Sequence, residues 1–147
     1  MKDLRQFYIN GQWVDPVQAN DLNVENPATE EMIATISLGA AADVDAAVAA
    51  AKAAFPVYSK FSVDERIALM EKLLQIYMDR YDEVAVAISM EMGAPISFAT
   101  AAHADTGRGH ISAALEALKV FEFERQIENT RIVKEPIGVC GFITPWN

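Results

Sequence analysis

The short apolar run near the end of the sequence places the strongest constraint on the fold. The sequence reads VCGFI at 139–143, between Gly138 and Pro145. A continuous apolar run of this length, bounded by turn-forming residues, is typical of a β-strand buried on both faces. Such a strand needs a neighbour to pair its backbone groups and a layer of structure on each face. The run therefore predicts that the chain is the front part of a larger α/β protein.

The composition limits the classes of function. Of 147 residues, 52% are hydrophobic and 22% charged, and 12 Lys and Arg against 21 Asp and Glu give a formal net charge of −9. These proportions are those of a globular chain rather than a disordered one. The negative excess would repel a phosphate backbone, so no nucleic-acid partner is predicted.

Three features that the sequence lacks predict the cellular location of the protein. The residues MKDLRQFYING at 1–11 carry charges on both sides of Leu4 instead of the apolar core of a secretory signal. No run is long enough to cross a bilayer, so no membrane partner is predicted. Cys140 is the single cysteine, which excludes an internal disulfide. We therefore expect a cytoplasmic protein.

Two turn motifs predict antiparallel β-structure near the N-terminus. Asn10-Gly11 lies between two runs of aromatic and β-branched residues, and Asn-Gly favours the positive φ values of a type I′ turn. We predict a β-hairpin over 7–14. Asn26-Pro27 predicts a second turn, followed by a strand over MIATIS at 32–37.

The middle of the chain has helical periodicity. From Asp43 the apolar residues share one face until Pro56, which is expected to end a first helix. Ser62 and Glu65 have the spacing of a capping box and predict the start of a second helix. Its apolar stripe steps by three and four residues and consists of Ile67, Met70, Leu74, Tyr77 and Tyr81.

Two further helices precede a return to β-structure. The third, over about 82–92, is closed by Gly93 and then Pro95. The fourth, over about 96–122, contains Gly107 and Gly109, which weaken a helix unless they permit a close helix crossing. The polar stretch ERQIENT at 124–130 is followed by a β-like run. Because Pro136 cannot donate a backbone hydrogen bond to a sheet, this run is an edge strand or ends at Pro136. The chain is then expected to re-enter a sheet at Gly138.

Most candidate chemical groups have a structural interpretation. A thiol can attack a carbonyl, but Cys140 lies among apolar residues, so we interpret it as a buried structural thiol. His103 and His110 are two helical turns apart, about 10 Å, which is too far for one zinc ion, so no metal site is predicted. Carboxylates near helix ends, such as Asp43 and Asp82, are interpreted as helix-terminal and solvated.

The terminal sequence TPWN at 144–147 is the strongest candidate site. In an open α/β sheet, ligands bind just beyond the carboxyl ends of the strands, and these residues follow the predicted strand directly. The Asn147 amide can donate to a developing oxyanion without adding charge. Alternatively, Pro145 and Trp146 form a turn and Asn147 caps the next helix. The spacing alone leaves both interpretations open.

Five motifs give the chain a resemblance to a known family, and KEPIGVCGFITPWN is the specific one among them. In order they are INGQWV at 9–14, NPATEE at 26–31, ADVDAAVAAAKAAF at 42–55, EMGAP at 91–95 and KEPIGVCGFITPWN at 134–147. With this order and these separations, the chain resembles the N-terminal part of the NAD(P)-dependent aldehyde dehydrogenase superfamily over about 7–147.

The resemblance implies an enzyme that oxidises an aldehyde to a carboxylate through a covalent thiohemiacetal, with hydride passing to NAD or NADP. It implies that Asn147 is catalytic, donating its amide to the oxyanion, and that Ile143, Thr144, Pro145 and Trp146 line the dinucleotide site. Cys140 matches a strand position distinct from the family's nucleophile. That nucleophile, the catalytic glutamate and the phosphate loop belong to later segments, so the chain alone is expected to be inactive.

The resemblance also implies the fold. It is an α/β aldehyde dehydrogenase-like fold with a Rossmann-type cofactor domain and oligomerisation strands. Residues 1–147 would be a mostly helical N-terminal part of the cofactor-binding domain with short β-strands, and the catalytic domain would be absent. Residues 130–136 would belong to the oligomerisation arm of a homo-oligomer. Three positions depart from the usual family pattern: Glu30 replaces a glycine, Tyr58 a tryptophan and Ala94 a lysine.

A second function class stays open at this point. The missing nucleophile is also compatible with a non-catalytic helical interaction or regulatory module derived from such an enzyme. Which aldehyde is the substrate, and whether NAD or NADP is used, depend on loops and ribose contacts outside this sequence.

Overall fold

The chain forms a small N-terminal β-region, a layer of helices and a C-terminal hairpin. The computed structural model describes residues 1–144; Pro145, Trp146 and Asn147 lie outside the described residues. The elements are β1 Lys2–Leu4, β2 Phe7–Ile9, β3 Gln12–Val14, β4 Asp21–Asn26, β5 Glu31–Ser37, α1 Ala41–Tyr58, α2 Val63–Asp79, α3 Tyr81–Met92, α4 Ile96–Phe98, a π-helical turn Ala99–Ala104, α5 Asp105–Val120, β6 Glu124–Ile127 and β7 Thr130–Val133.

The N-terminal turns are confirmed. β2 and β3 pair antiparallel across Asn10 and Gly11, whose φ values of 52° and 78° are those that a type I′ turn requires. β4 and β5 pair antiparallel across the second turn, where Asn26 Oδ1 accepts from the N–H of Ala28 at 2.9 Å. β1 adds parallel to the other edge of β5, giving the strand order β1-β5-β4.

The first helix differs from the prediction at both ends. α1 begins at Ala41, runs through Pro56 and ends at Tyr58, so the prediction that Pro56 ends it is wrong. Pro56 lies in the last turn, where the proline removes a single backbone bond, and the turn still closes because Ser59 N–H donates to Phe55 O at 2.8 Å.

Asp43 is buried, and its interpretation as a solvated carboxylate is wrong. Its Oδ2 accepts from the N–H of Ala40 at 2.8 Å, and its Oδ1 accepts from the N–H of Val17 at 2.9 Å. The first bond caps α1, and the second ties the loop after β3 to the same helix start. Asp43 therefore connects the β-region to the helical layer.

The capping box of α2 is confirmed in both directions. Glu65 N–H donates to Ser62 Oγ at 3.2 Å, and Ser62 N–H donates to Glu65 Oε2 at 2.7 Å. The predicted apolar stripe is half-buried along its length, with its last member in α3. Gly93 closes α3 as predicted, in the left-handed region at φ 72°.

The predicted fourth helix contains a π-helical turn and ends at Val120. In a π-turn the backbone hydrogen bonds span five residues instead of four. Two tyrosine hydroxyls bond to carbonyls of this region: Tyr77 Oη donates to Ala104 O at 2.7 Å, and Tyr81 Oη donates to Thr100 O at 2.6 Å.

The core is built from small side chains, which lets the helices approach closely. The buried hydrophobic residues of the described chain are Ala34, Ala85, Ala99, Ala104 and Leu115. Gly107 in α5 lies directly against Tyr77 in α2, since an added Cβ would lie 2.8 Å from Tyr77 Cζ and closer still to the hydroxyl. Around Gly109 an added Cβ would meet no atom within 4 Å. The predicted close crossing is therefore confirmed at Gly107 and wrong at Gly109.

The C-terminal part departs most from the predictions. The polar stretch at 124–130 forms β6 and the turn after it, and β6 pairs antiparallel with β7. Residues 134–144 form no helix or strand, so the predicted buried strand is wrong, with Phe142 89% exposed and Ile143 fully exposed. No strand within residues 1–144 pairs with this segment, and a central strand cannot form without partners. Cys140 is exposed, which corrects its interpretation as a buried thiol.

We predict that Glu30→Gly stabilises the chain. Glu30 holds φ at 59° in the turn between β4 and β5, a region that disfavours residues with a Cβ. The free energy of unfolding should rise by about 1 kcal/mol. Urea denaturation measures it, with Glu31→Gly in β5 as the matched control, expected to be destabilising by about 0.5–1 kcal/mol. A loss of stability in Glu30→Gly would contradict the prediction.

We predict opposite effects of alanine at the two glycines of α5. Gly107→Ala should destabilise by about 1–3 kcal/mol, because Tyr77 must move and release its bond to Ala104. Gly109→Ala should stabilise by about 0.5–1 kcal/mol, because it meets open space within a helix. Thermal or urea unfolding of both variants compares them, and equal effects would refute the assignment of the close contact to Gly107.

Candidate functional site

The predicted site segment is exposed where the structure describes it. Ile143 is fully exposed and Thr144 is exposed, and neither makes a side-chain hydrogen bond within the described chain. The other predicted members, Pro145, Trp146 and Asn147, lie outside the described residues. Whether the five residues act together therefore stays a prediction.

The residues that lead into this segment, 134–136, line an open cavity of about 500 Å³. The cavity is formed by the end of α1, the start of α2 and the chain on both sides of the β6–β7 hairpin. Its lining includes Phe61, Arg66, Phe123, Lys134 and Pro136. The chain therefore leaves the helical layer from a defined place, although the segment itself is exposed.

Arg66 occupies the centre of this junction. Its Nε donates to Phe61 O at 3.0 Å, and its Nη2 donates to Ser59 O at 3.2 Å. Its guanidinium carbon lies 5.7 Å from the centroid of the Phe123 ring and 6.0 Å from that of Tyr58. Both contacts are within the range of cation–π attraction.

Lys134 holds the two sides of the hairpin together. Its backbone N–H donates to Phe123 O at 2.8 Å, and its Nζ donates to Glu122 O at 3.2 Å. The same ammonium lies 4.1 Å from the centroid of Phe121, which packs edge-to-face on Phe123 at 4.8 Å. The residues just before β6 and just after β7 therefore form one aromatic and cationic cluster.

The titratable groups with shifted pKa values serve structural bonds. Backbone N–H donors from Val17 and Ala40 lower the pKa of Asp43, and Ser62 lowers that of Glu65. Burial raises the pKa of Tyr77. None of these groups is among the residues that line the cavity. Asp43, Glu65 and Tyr77 therefore stabilise the fold, and they form no acid–base pair in the cavity.

The described residues offer no cluster for a metal ion. Residues 1–144 contain no group of three His, Cys, Asp or Glu side chains close enough to hold one. His103 instead packs edge-to-face on Phe98 at 5.0 Å. Within the same residues, no helix has the combined length and apolarity that crossing a membrane requires.

Sequence reasoning missed the junction and the strand β6. A signal for Arg66 was present, since it follows the N-cap Ser62 by four residues and has Tyr58 and Phe61 nearby in sequence. The signal for β6 was weak, because the residue that takes the positive φ of its turn, at 50°, is Glu128 and not a glycine or asparagine. The partner Phe123 lies far from Arg66 in sequence, so their contact had no local signal.

The comparisons with known proteins agree with one another. A family model described as the aldehyde dehydrogenase family matches residues 13–147. A 3-succinoylsemialdehyde-pyridine dehydrogenase of Pseudomonas sp is 47% identical over 148 residues, covering 100% of this chain and 31% of the relative. A putative aldehyde dehydrogenase of Staphylococcus aureus is 44% identical over 147 residues, with the same coverage.

Solved structures give the same answer for the fold. The aldehyde dehydrogenase of Bartonella henselae superposes with a TM-score of 0.85 at 46% identity, covering 88% of this chain and 28% of that one. Aldehyde dehydrogenase C of Pseudomonas syringae, a cysteine-to-alanine mutant complexed with NAD+ and octanal, gives 0.94 at 43% identity, covering 97% and 29%. The chain thus spans less than a third of the length of these relatives.

We predict that the contribution of Asp43 to stability depends on pH. Its pKa is lowered in the folded state, so its stabilising effect is present above the unfolded value of about 3.9 and is lost as pH falls through the lower folded value. Asp43→Asn cannot titrate. The stability gap between wild type and Asp43→Asn should therefore be largest near neutral pH and shrink at acidic pH.

Urea denaturation at a series of pH values tests this. Asp45→Asn, an exposed neighbour on α1, is the control for the change of net charge. A gap for Asp43→Asn that stays constant from neutral to acidic pH would contradict the prediction.

Proposed function

Because the chain belongs to the aldehyde dehydrogenase family, we propose that it is the N-terminal portion of an enzyme that oxidises an aldehyde to a carboxylate with NAD or NADP as hydride acceptor. The observation that carries this is the 0.94 TM-score to a family member that holds NAD+ and octanal. One relative is named as a dehydrogenase of a pyridine semialdehyde, and another is complexed with octanal, an eight-carbon aldehyde, so the proposed substrate class is aldehydes in general.

The proposed reaction begins with attack by a cysteine thiolate on the aldehyde carbon. The carbonyl oxygen becomes an oxyanion in a thiohemiacetal, and the Asn147 amide donates to it. When bound, the dinucleotide accepts the hydride that leaves this carbon. The resulting thioester is hydrolysed by water, which releases the carboxylate and restores the thiol. The neighbour with NAD+ and octanal carries a cysteine-to-alanine change, which supports a cysteine nucleophile.

The described part of the cofactor segment is compatible with dinucleotide binding. Ile143 and Thr144 are exposed, and residues 135–144 form no backbone hydrogen bonds to one another or to the rest of residues 1–144. Within residues 1–144, the backbone groups of Ile143 and Thr144 make no hydrogen bond, which is compatible with contact to a ligand. We propose that these two residues, with Pro145 and Trp146, line the dinucleotide site, and that Asn147 stands beside the aldehyde.

Exposed apolar side chains support a larger assembly around this chain. Ile137 is 93% exposed, and Phe142 and Ile143 are nearly or fully exposed. Apolar surface of this extent is typical of a surface that another segment covers. We propose that the rest of the enzyme covers it, that 130–136 forms part of an oligomerisation arm, and that the assembly is a cytoplasmic homo-oligomer.

The proposed role of Asn147 is tested in the whole enzyme. Asn147→Ala should lower kcat by about 10²–10³-fold, because an oxyanion loses a donor. The KM for NAD should change little. The measurement is NADH formation with a panel of aldehydes, and Asn23→Ala on the exposed strand β4 is the control, expected to keep the wild-type rate.

The same assay separates the proposal from its rival. The 147-residue chain alone should form no NADH, while the whole enzyme should. A whole enzyme with no aldehyde-dependent activity toward either NAD or NADP would refute the proposed function and favour a non-catalytic interaction module.

A further inference from the structure

The cavity between the helices and the base of the C-terminal hairpin collects positive charge. Its volume is about 500 Å³, which lies within the range of small-molecule pockets. The charged residues of its lining are three cations, Lys60, Arg66 and Lys134, and one carboxylate, Glu135. The whole chain, in contrast, has a formal net charge of −9. The cavity is therefore an electropositive concavity on an acidic protein, and such a concavity attracts small anions.

Carboxylates elsewhere in the chain neutralise other cations. Within residues 1–144, the cations that form ion pairs with Asp or Glu are Arg5, Arg80, Arg108, Lys119 and Arg131. In the cavity, Arg66 bonds instead to two backbone carbonyls, and Lys134 Nζ bonds to Glu122 O. A neutral carbonyl satisfies a donor and leaves the positive charge in place. Both cations therefore keep their attraction for an anion.

The Arg66 guanidinium still has donors to offer. It carries five N–H groups in one plane, and the bonds to the two carbonyls use one on Nε and one on Nη2. The same bonds, together with the rings of Phe123 and Tyr58 within cation–π range, fix the side chain. A group that is fixed before its ligand arrives loses little entropy on binding. Arg66 is therefore a preorganised partner for a carboxylate or a phosphate.

Aromatic rings give the cavity an apolar wall beside its cations. Phe61 and Phe123 both line it, and both are half-buried. Ligand pockets combine apolar and aromatic lining with a small number of polar groups in this way. The lining therefore suits a molecule that has an anionic group at one end and an apolar body.

We propose that this cavity binds a small organic oxyanion, a carboxylate or a phosphate monoester that carries an apolar body. The oxyanion contacts the cations Lys60, Arg66 and Lys134, and the apolar body lies against Phe61 and Phe123. This inference goes beyond the proposed function and does not rest on it, because the residues that form the cavity are all within 55–136.

Calorimetric titration of the whole enzyme tests the inference. The probes are phenyl phosphate, benzoate and the neutral benzyl alcohol, each titrated with and without saturating NAD+. At least one of the two anions should bind, benzyl alcohol should not, and the affinity should fall as NaCl is raised. Binding of phenyl phosphate alone assigns the cavity to phosphates, binding of benzoate alone assigns it to carboxylates, and binding of both supports the shared oxyanion chemistry.

Charge-neutralising variants assign the binding to this cavity. Lys60→Gln and Lys134→Gln each remove an exposed cation from the lining, and each should raise the Kd of the anion about tenfold. Lys72→Gln removes an exposed cation of α2 that does not line the cavity, so it is the matched control and should leave the Kd unchanged. If Lys134→Gln does not fold, Lys60→Gln decides alone.

Several outcomes would overturn the inference. They are no binding of either anion, binding that saturating NAD+ abolishes, a Kd that Lys60→Gln and Lys134→Gln leave unchanged, and an equal loss of affinity in Lys72→Gln. The assay is independent of NADH formation. A whole enzyme that oxidises no aldehyde but binds the anions through these lysines would refute the proposed function and support the oxyanion site.

Discussion

The contact between Tyr77 and the helix 99–120 is the interaction on which the helical layer depends. The Tyr77 hydroxyl reaches Ala104 O because the next residues of that helix include Gly107, which leaves room for the ring. Tyr81, one turn further on, makes the same kind of bond to Thr100 O. Both hydroxyls therefore bond to backbone carbonyls in or next to the π-helical turn. The buried alanines around them keep the two helices close enough for the bonds to form.

The buried contacts of the chain therefore lie between the helices, and its two ends are more exposed. Asp43 connects the helices to the β-region, because its carboxylate caps α1 and also bonds to the loop after β3. At the other end, Arg66 connects the helices to the base of the C-terminal hairpin through its contact with the Phe123 ring. Beyond that base, the segment that ends in the proposed site residues has few contacts within the described chain. Its apolar side chains are those that a neighbouring layer would cover.

Local signals predicted the elements that depend on few neighbouring residues. Asn10-Gly11 produced its turn, Ser62 and Glu65 their capping box, and Gly93 its helix end, as expected from their types. The errors lie where distant residues decide. Pro56 does not end α1, which continues for two more residues. Asp43 is buried, and it bonds to a loop that lies far from it in sequence.

The candidate site divides in the same way. The motif ending in Asn147 sufficed to identify the family, which the match over 13–147 confirms, because a motif is a property of residue order. The sequence by itself also determined the capped helices and tight turns, since their stabilising bonds join residues within about four positions. Only the tertiary structure decided that Gly107 meets Tyr77 and that Phe123 rests against Arg66. It also decided that the run at 139–143 pairs with no strand among residues 1–144. Burial and strand pairing require partners from elsewhere in the chain, and their presence cannot be read from a local pattern.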